Sequence, residues 1–124
     1  MQFQHVDRDQ KGEFFLNNAE GQRIAEISYI WRDDTTIDAN HTWVDDSLRG
    51  QGVARLLLDT LVDFSREKNL KIIPTCSYVD VMFRREKSFE DVAAWFSIIQ
   101  KAQLSVGLYI FARLELLQFI TIEL

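Results

Sequence analysis

Four features of the chain could do chemistry. Two glycines in Arg49-Gly50-Gln51-Gly52-Val53-Ala54 stand between a β-branched, apolar stretch and a long helical pattern. Glycine lets backbone come close to a bulky anion, and a helix opening around Gln51 would aim unpaired amides and its positive dipole end at that anion. The loop therefore suits phosphate, although an ordinary strand-to-helix turn would use the same two glycines. His41 could take a proton near neutral pH, or be a strand residue hydrogen-bonded in place. Cys76 is the one cysteine, read either as a reactive thiol or as a small buried hydrophobe. Tyr78, two residues on, offers a hydroxyl or packing bulk.

The elements that must position these groups follow from hydrophobic period. Residues 2 to 7 and 13 to 18 read as strands around a polar turn at Asp7 to Gly12. Arg23 to Trp31 alternates Ile24, Glu26 and Ser28 against Ala25, Ile27 and Tyr29; with apolar residues on both sides, it is expected to be central or covered twice. Thr36 to Val44 resumes a strand that brings His41 and Val44 to the glycine loop. From Val53 the apolar positions follow the helical period to about Lys68, and Asn69 suits a C-cap. Leu70 to Ile73 is a short buried strand ended by Pro74, so strand, loop, helix and strand imply a right-handed parallel crossover. Val79 to Arg85 suits a short helix. Ser88-Phe89-Glu90-Asp91 resembles a capping box, predicting another helix through Ala94 to about Lys101. Residues 104 to 124 are ambiguous between helix and strand.

Composition bounds what such a chain can do. At 124 residues it is sized for one domain. A net charge of −5 weighs against nucleic acid as partner, which requires clustered Lys and Arg, and favours a cationic or amine-bearing substrate. One cysteine forms no internal disulfide and the N-terminus lacks a secretion signal's apolar core, so the cytoplasm is the expected compartment. Lys101, Arg113, Glu115 and Glu123 interrupt the apolar C-terminal stretch before a run of about 18 uncharged residues develops, so no transmembrane span is read.

Around the loop, Val44, Arg49, Gly50, Gly52 and Ala54 look like motif A of the GCN5-related N-acetyltransferases (GNAT), whose pattern is Arg/Gln-x-x-Gly-x-Gly/Ala. Arg49, Gly52 and Ala54 fill the specified positions. Three ordered words extend the match: His41-Thr42-x-Val44, then Leu48-Arg49-Gly50-x-Gly52-Val53-Ala54, then Lys71-Ile72-x-Pro74-x-Cys76-x-Tyr78-Val79. Together they resemble the small YjdJ-like, NATD1-like branch over residues 10 to 93, roughly two thirds of the chain.

The resemblance implies an α+β fold: a mixed, mostly antiparallel sheet with helices on both faces, a splayed parallel strand pair and a reduced N-terminal part. The short turn at Asp7 to Gly12 agrees, leaving no room for the helices that larger members insert there. It implies acetyl-coenzyme A as cosubstrate and no metal. Val44 would offer backbone groups to the pantetheine arm, and the amides of Arg49, Gly50, Gln51, Gly52, Val53 and Ala54 would hold the pyrophosphate. Cys76 would sit near the acetyl site with His41 on the neighbouring strand, where a thiol beside an imidazole could become a thiolate and accept an acyl group. Tyr78 could protonate the departing thiolate, although its place after the cysteine is not the usual family position.

The expected activity is acetyl-coenzyme A-dependent N-acetyl transfer to a small amine or peptide amine, through acetyl-Cys76 or directly. The alternatives are a non-catalytic acetyl-coenzyme A-binding module and a docking protein using its apolar tail. Residues 1 to 94 form the expected domain. Residues 95 to 124, from Trp95, depart from the small branch as an apolar C-terminal extension that could pack on the sheet or form a homodimer interface.

Overall fold

The computed structural model describes residues 1–94. Five strands, β1 (Gln4–Arg8), β2 (Lys11–Asn17), β3 (Arg23–Asp33), β4 (Thr36–Val44) and β5 (Lys71–Ile73), form one sheet in chain order. Pairing is antiparallel from β1 to β4 and parallel between β4 and β5. Helix α1 (Val53–Glu67) makes the β4-to-β5 crossover, and α2 (Ser77–Arg85) follows β5. This is the expected mixed sheet, with β3 central as its doubly apolar pattern required.

The β1–β2 turn closes on two residues, because Arg8 pairs directly with Lys11. Asp9 takes the left-handed conformation there, at φ 54°, which Asp tolerates better than most residues. No further element fits in so short a connection. The N-terminal half is therefore a bare antiparallel meander.

One sheet face is built from alternate residues held in register: Phe14, Ala25, Ile27, Tyr29, Ile37 and Ala39 all lie in the core. Against it α1 buries Val53, Leu57, Leu58, Leu61 and Val62 at helical spacing. Each such side chain contributes about 1.5–3 kcal/mol when fully buried. Ser65 is buried on the same stripe, and its hydroxyl donates to Leu61 O at 2.9 Å, so no polar atom is stranded. Val79 and Phe83 of α2 join the same cluster. Arg55 on α1 bonds both Glu86 carboxylate oxygens just past α2, tying the two helices together.

Two boundaries differ from expectation. Helix α1 begins at Val53 rather than Gln51, because Gly52 holds the left-handed N-cap position at φ 68°. The helix expected to open at Ser88 does not: Lys87–Phe89 is a 3-10 turn, and Arg66 Nη2 donates to the Ser88 carbonyl. Val92 and Ala93 instead run beside β5, with Ile72 N donating to Val92 O at 2.6 Å. Tertiary pairing with the sheet edge outweighed the local capping pattern. The C-terminal extension from Trp95, and the continuation of that helix toward Lys101, lie outside the described residues.

Candidate functional site

The strands β4 and β5 pair only from Thr36 to Asp38 and from Lys71 to Ile73. A last bond, Cys76 N to Ala39 O at 2.7 Å, closes the pairing, and the strands then part. Pro74 ends β5, while β4 runs on to Val44, leaving its β5-side edge without ladder partners among the described residues from Asn40 onward. Below this opening lies the N-terminus of α1.

The strand β4 carries a bulge there. Ser28 pairs with His41 and Tyr29 with Ala39, so Asn40 is the extra residue. Simple alternation from Ile37 and Ala39 would turn His41 and Trp43 toward the core face. The added residue inverts that, placing Thr42 opposite buried Ile27 and Val44 opposite Ala25. Asn40 and His41 go to the other face, where Ser28 Oγ donates to Asn40 Oδ1 at 2.8 Å.

Beyond Val44, Asp45 caps the 3-10 turn Asp46–Leu48 by accepting from Ser47 N at 3.0 Å. Hydrogen bonding from the Ser47 hydroxyl, and then from its amide, holds the Asp45 carboxyl below the ordinary carboxylate range. The amides of Arg49 and Gln51 bond back to Asp46 O and Leu48 O, at 3.0 and 3.3 Å. Gly50 and Gly52 stand at φ 83° and 68°, a conformation glycine adopts without strain. A Cβ built on either glycine would meet nothing within 4 Å, so open space lies over the loop. The first intrahelical bond is Leu56 N to Gly52 O. The amides of Val53, Ala54 and Arg55 therefore have no intrahelical acceptor, and Gly50 and Gly52 N also lack a partner among the described residues. The Arg49 guanidinium lies in solvent against Asp46, both side chains at least 79% exposed. Such a pair contributes little.

Cys76 is 9% exposed at the start of α2, and its Sγ donates to Thr42 Oγ1 at 3.3 Å. His41 is not beside it. The bulge sends His41 to the opposite face, where Nε2 stands 3.7 Å from Glu26 Oε2, so the expected thiol and imidazole neighbours are separated by the strand itself. Tyr78 is half-buried on the first turn of α2, packed against the core. Burial pushes its hydroxyl pKa up, with Arg55 nearby opposing the shift.

The structure thus brings Cys76 to Thr42 where β4 and β5 part, keeps Val44 and Tyr78 against the same core, and assigns His41 to the other side of β4. Two participants were missed in the sequence. Thr42, the thiol's partner, was passed over because only the bulge turns it inward. Glu26, the partner of His41, lies 15 residues upstream, and cross-strand register alone joins them. Among the described residues no group of three or more His, Cys, Asp or Glu side chains is arranged to hold a metal ion.

A mixed sheet with a splayed parallel pair above a glycine-capped helix defines a coenzyme A-dependent acyltransferase fold. The sequence profile of the GCN5-related N-acetyl-transferase family matches residues 13–92, and the chain belongs to that family. It is similar to Protein NATD1 of Xenopus tropicalis, 34% identical over 77 residues that cover 60% of this chain and 69% of the relative. Protein NATD1 of Gallus gallus is 32% identical over the same length, covering 60% and 68%. The solution structure of a GCN5-like protein from Staphylococcus aureus is 39% identical, with a TM-score of 0.58 over 73% of this chain and 86% of that one. Tetrahymena GCN5 shares the fold at a TM-score of 0.51 and 9% identity, over 63% and 50% of the two chains. The family transfers acetyl groups from acetyl-coenzyme A. No helix among the described residues is long and apolar enough to cross a membrane.

Proposed function

We propose that this protein is a cytoplasmic N-acetyltransferase that moves the acetyl group of acetyl-coenzyme A directly to a small or peptide-borne amine. The observation that carries this reading is the set of unpartnered amides at Gly50 and Gly52 to Arg55, facing open space beside the parting of β4 and β5. Amides converging at a helix N-terminus suit a diphosphate. The fit is narrower than the motif suggested: Gly50, Gly52, Val53, Ala54 and Arg55 supply the donors, while Arg49 and Gln51 spend theirs within the loop and shape it.

The edge of β4 near Val44, without a ladder partner among the described residues, offers backbone groups to the amide-bearing pantetheine arm. Bound acetyl-coenzyme A would supply the activated acyl group as a thioester. Burial keeps Tyr78 protonated at neutral pH, so its hydroxyl, on the first turn of α2 after Cys76, is a candidate proton donor. Cys76 Sγ donates a hydrogen bond to Thr42 Oγ1 and has no imidazole beside it, which favours a thiol that lines the cleft over a nucleophile. Holding donor and amine in line supplies much of the rate in such a transfer.

Isothermal titration with acetyl-coenzyme A, followed by an amine screen read by release of free thiol, tests the reading. Binding with amine-dependent thiol release is expected. Binding without release for any amine would reduce the protein to a coenzyme A-binding module, and absence of binding would overturn the site. A homodimer through residues 95–124 is a separate proposal, checked by sedimentation of the full chain against one ending at Ala94.

A further inference from the structure

The face of the sheet turned away from α1 carries a second site. Cross-strand register aligns Val6, Glu13, Ser28 and His41 in one row, flanked by the row of Phe15, Glu26 and Trp43 and by the row of Arg8, Lys11 and Ile30. A cavity of about 910 Å³ lies over this surface, with Val6 and Ile30 apolar in its lining and the Ser28–Asn40 hydrogen bond along one side. The cavity is bipolar. Toward β4 it holds the carboxylate of Glu26, 3.7 Å from His41 Nε2 and 3.1 Å from Arg23 Nη1, which also meets Glu13 at 3.0 Å.

At its other end two cations stand directly opposite each other, with Asp9 of the connecting turn also in the lining. Arg8 and Lys11 are register partners, and neither forms a salt bridge among the described residues. Like charges directly opposite on a sheet cost stability. An anion placed between them relieves that cost, as it would for any paired cation fork.

Asn40, the bulge residue, lines the cavity, and His41 follows it on this face, across β4 from Thr42 and the parting of β4 and β5. From His41 to Lys11 is two strand spacings across and two residues along, roughly 12 Å. We infer that the acetyl acceptor is an amine with an anionic group roughly 12 Å from its nitrogen, seated on this face with the amine at His41 and Glu26 and the anion between Arg8 and Lys11. An extended peptide of about three residues with a free α-amine and free carboxylate spans that distance. In the transfer itself the neutral amine nitrogen forms the new bond to the acetyl carbon, the carbon–sulfur bond breaks as the thiolate takes the Tyr78 proton, and the proton shed by nitrogen leaves to His41, with Glu26 stabilising the imidazolium.

The inference rests on the acetyltransferase reading above and names its substrate class. Triglycine and triglycinamide test it, since they share the amine and differ in terminal charge. Steady-state thiol release should give a kcat/KM about fivefold higher for triglycine, as expected for two exposed charge contacts. In Arg8→Gln/Lys11→Gln the ratio between the two acceptors should fall to about one. Amide shifts in a triglycine titration should move Arg8, Lys11 and Ser28 without any turnover. Equal use of both peptides, or a preference that survives the double substitution, would overturn this acceptor site and leave the acetyltransferase reading intact. If no amine releases thiol although acetyl-coenzyme A binds, the acetyltransferase reading fails first and this inference with it.

Discussion

The side chain that meets Cys76 belongs to Thr42, whose Oγ1 accepts from Sγ at 3.3 Å, and not to its neighbour His41. Consecutive strand residues face opposite ways, so this one-residue difference separates thiol from imidazole by the thickness of the sheet. A thiol that donates to a hydroxyl and has no base beside it is poorly placed to become a nucleophile. In Cys76→Ala, acetyl transfer should persist within about threefold, the modest loss coming from the small cavity left behind. Mass spectrometry of the native protein after incubation with acetyl-coenzyme A should show no stable acetyl adduct at Cys76. Loss of transfer in Cys76→Ala together with an adduct in the native protein would restore the covalent route.

Tyr78 is expected to act through its proton. Its raised pKa keeps the hydroxyl protonated throughout the neutral range and above its usual 10.0. Tyr78→Phe should lower kcat about 100-fold, the lower end of the range for a lost general acid. The KM for acetyl-coenzyme A should change little. A variant with native kcat would make Tyr78 a packing residue.

The loop glycines make separable contributions. Gly52 has a left-handed backbone at the start of α1, so Gly52→Ala should cost about 1–2 kcal/mol in stability from conformation alone. Its new methyl would project into the open space where an anion is to sit, and acetyl-coenzyme A affinity should fall more than about tenfold. Calorimetry and urea unfolding on the same variant separate the two effects. Unchanged affinity would remove the loop from the binding site.

A different glycine is constrained by the core. Gly12 lies in register between Asp7 and Tyr29, and the Tyr29 ring crosses it so that the hydroxyl donates to Asp7 Oδ2 at 2.5 Å. A Cβ on Gly12 would stand 2.3 Å from that hydroxyl oxygen. Gly12→Ala should therefore destabilise the fold by about 1–3 kcal/mol through overpacking, read as a lower urea midpoint at an unchanged slope.

His5 joins this network from β1, with Nε2 2.8 Å from the Tyr29 hydroxyl and its ring stacked 4.0 Å from Phe14. Because Tyr29 donates to Asp7, its oxygen accepts from His5. Desolvation lowers the His5 pKa below its usual 6.5, an effect Asp7 opposes and Lys68 reinforces. A histidine with a depressed folded pKa leaves the unfolded chain holding more protons, so stability rises with pH. The contribution is fully present above 6.5 and is lost as pH falls toward the lower folded value. Thermal midpoints from pH 7.5 to 5 should decline in the native protein, and the slope attributable to this group should disappear in His5→Gln.

Much of the architecture was legible in the chain because its signals are local. The period of α1 reports directly which residues it buries, the two glycines mark a left-handed approach to its first turn, and the short β1–β2 connection excludes an inserted helix. The Ser88 pattern misled because a capping box is weak against pairing with an open sheet edge, which Val92 and Ala93 achieve beside Ile72. The loop's anion-binding character was visible, but its division of labour was not. Which amides remain free depends on carbonyls of the preceding turn, at Asp46 and Leu48.

The sequence by itself determined the family, the order of elements and the place of the glycine loop, since each depends on residue type and spacing along the chain. Only the tertiary structure decided what faces the reacting end. One extra residue at Asn40 inverts the alternation of β4, turning Thr42 to Cys76 and His41 to Glu26. A bulge is a property of two paired strands, and the register of β4 against β3 cannot be read from either strand alone.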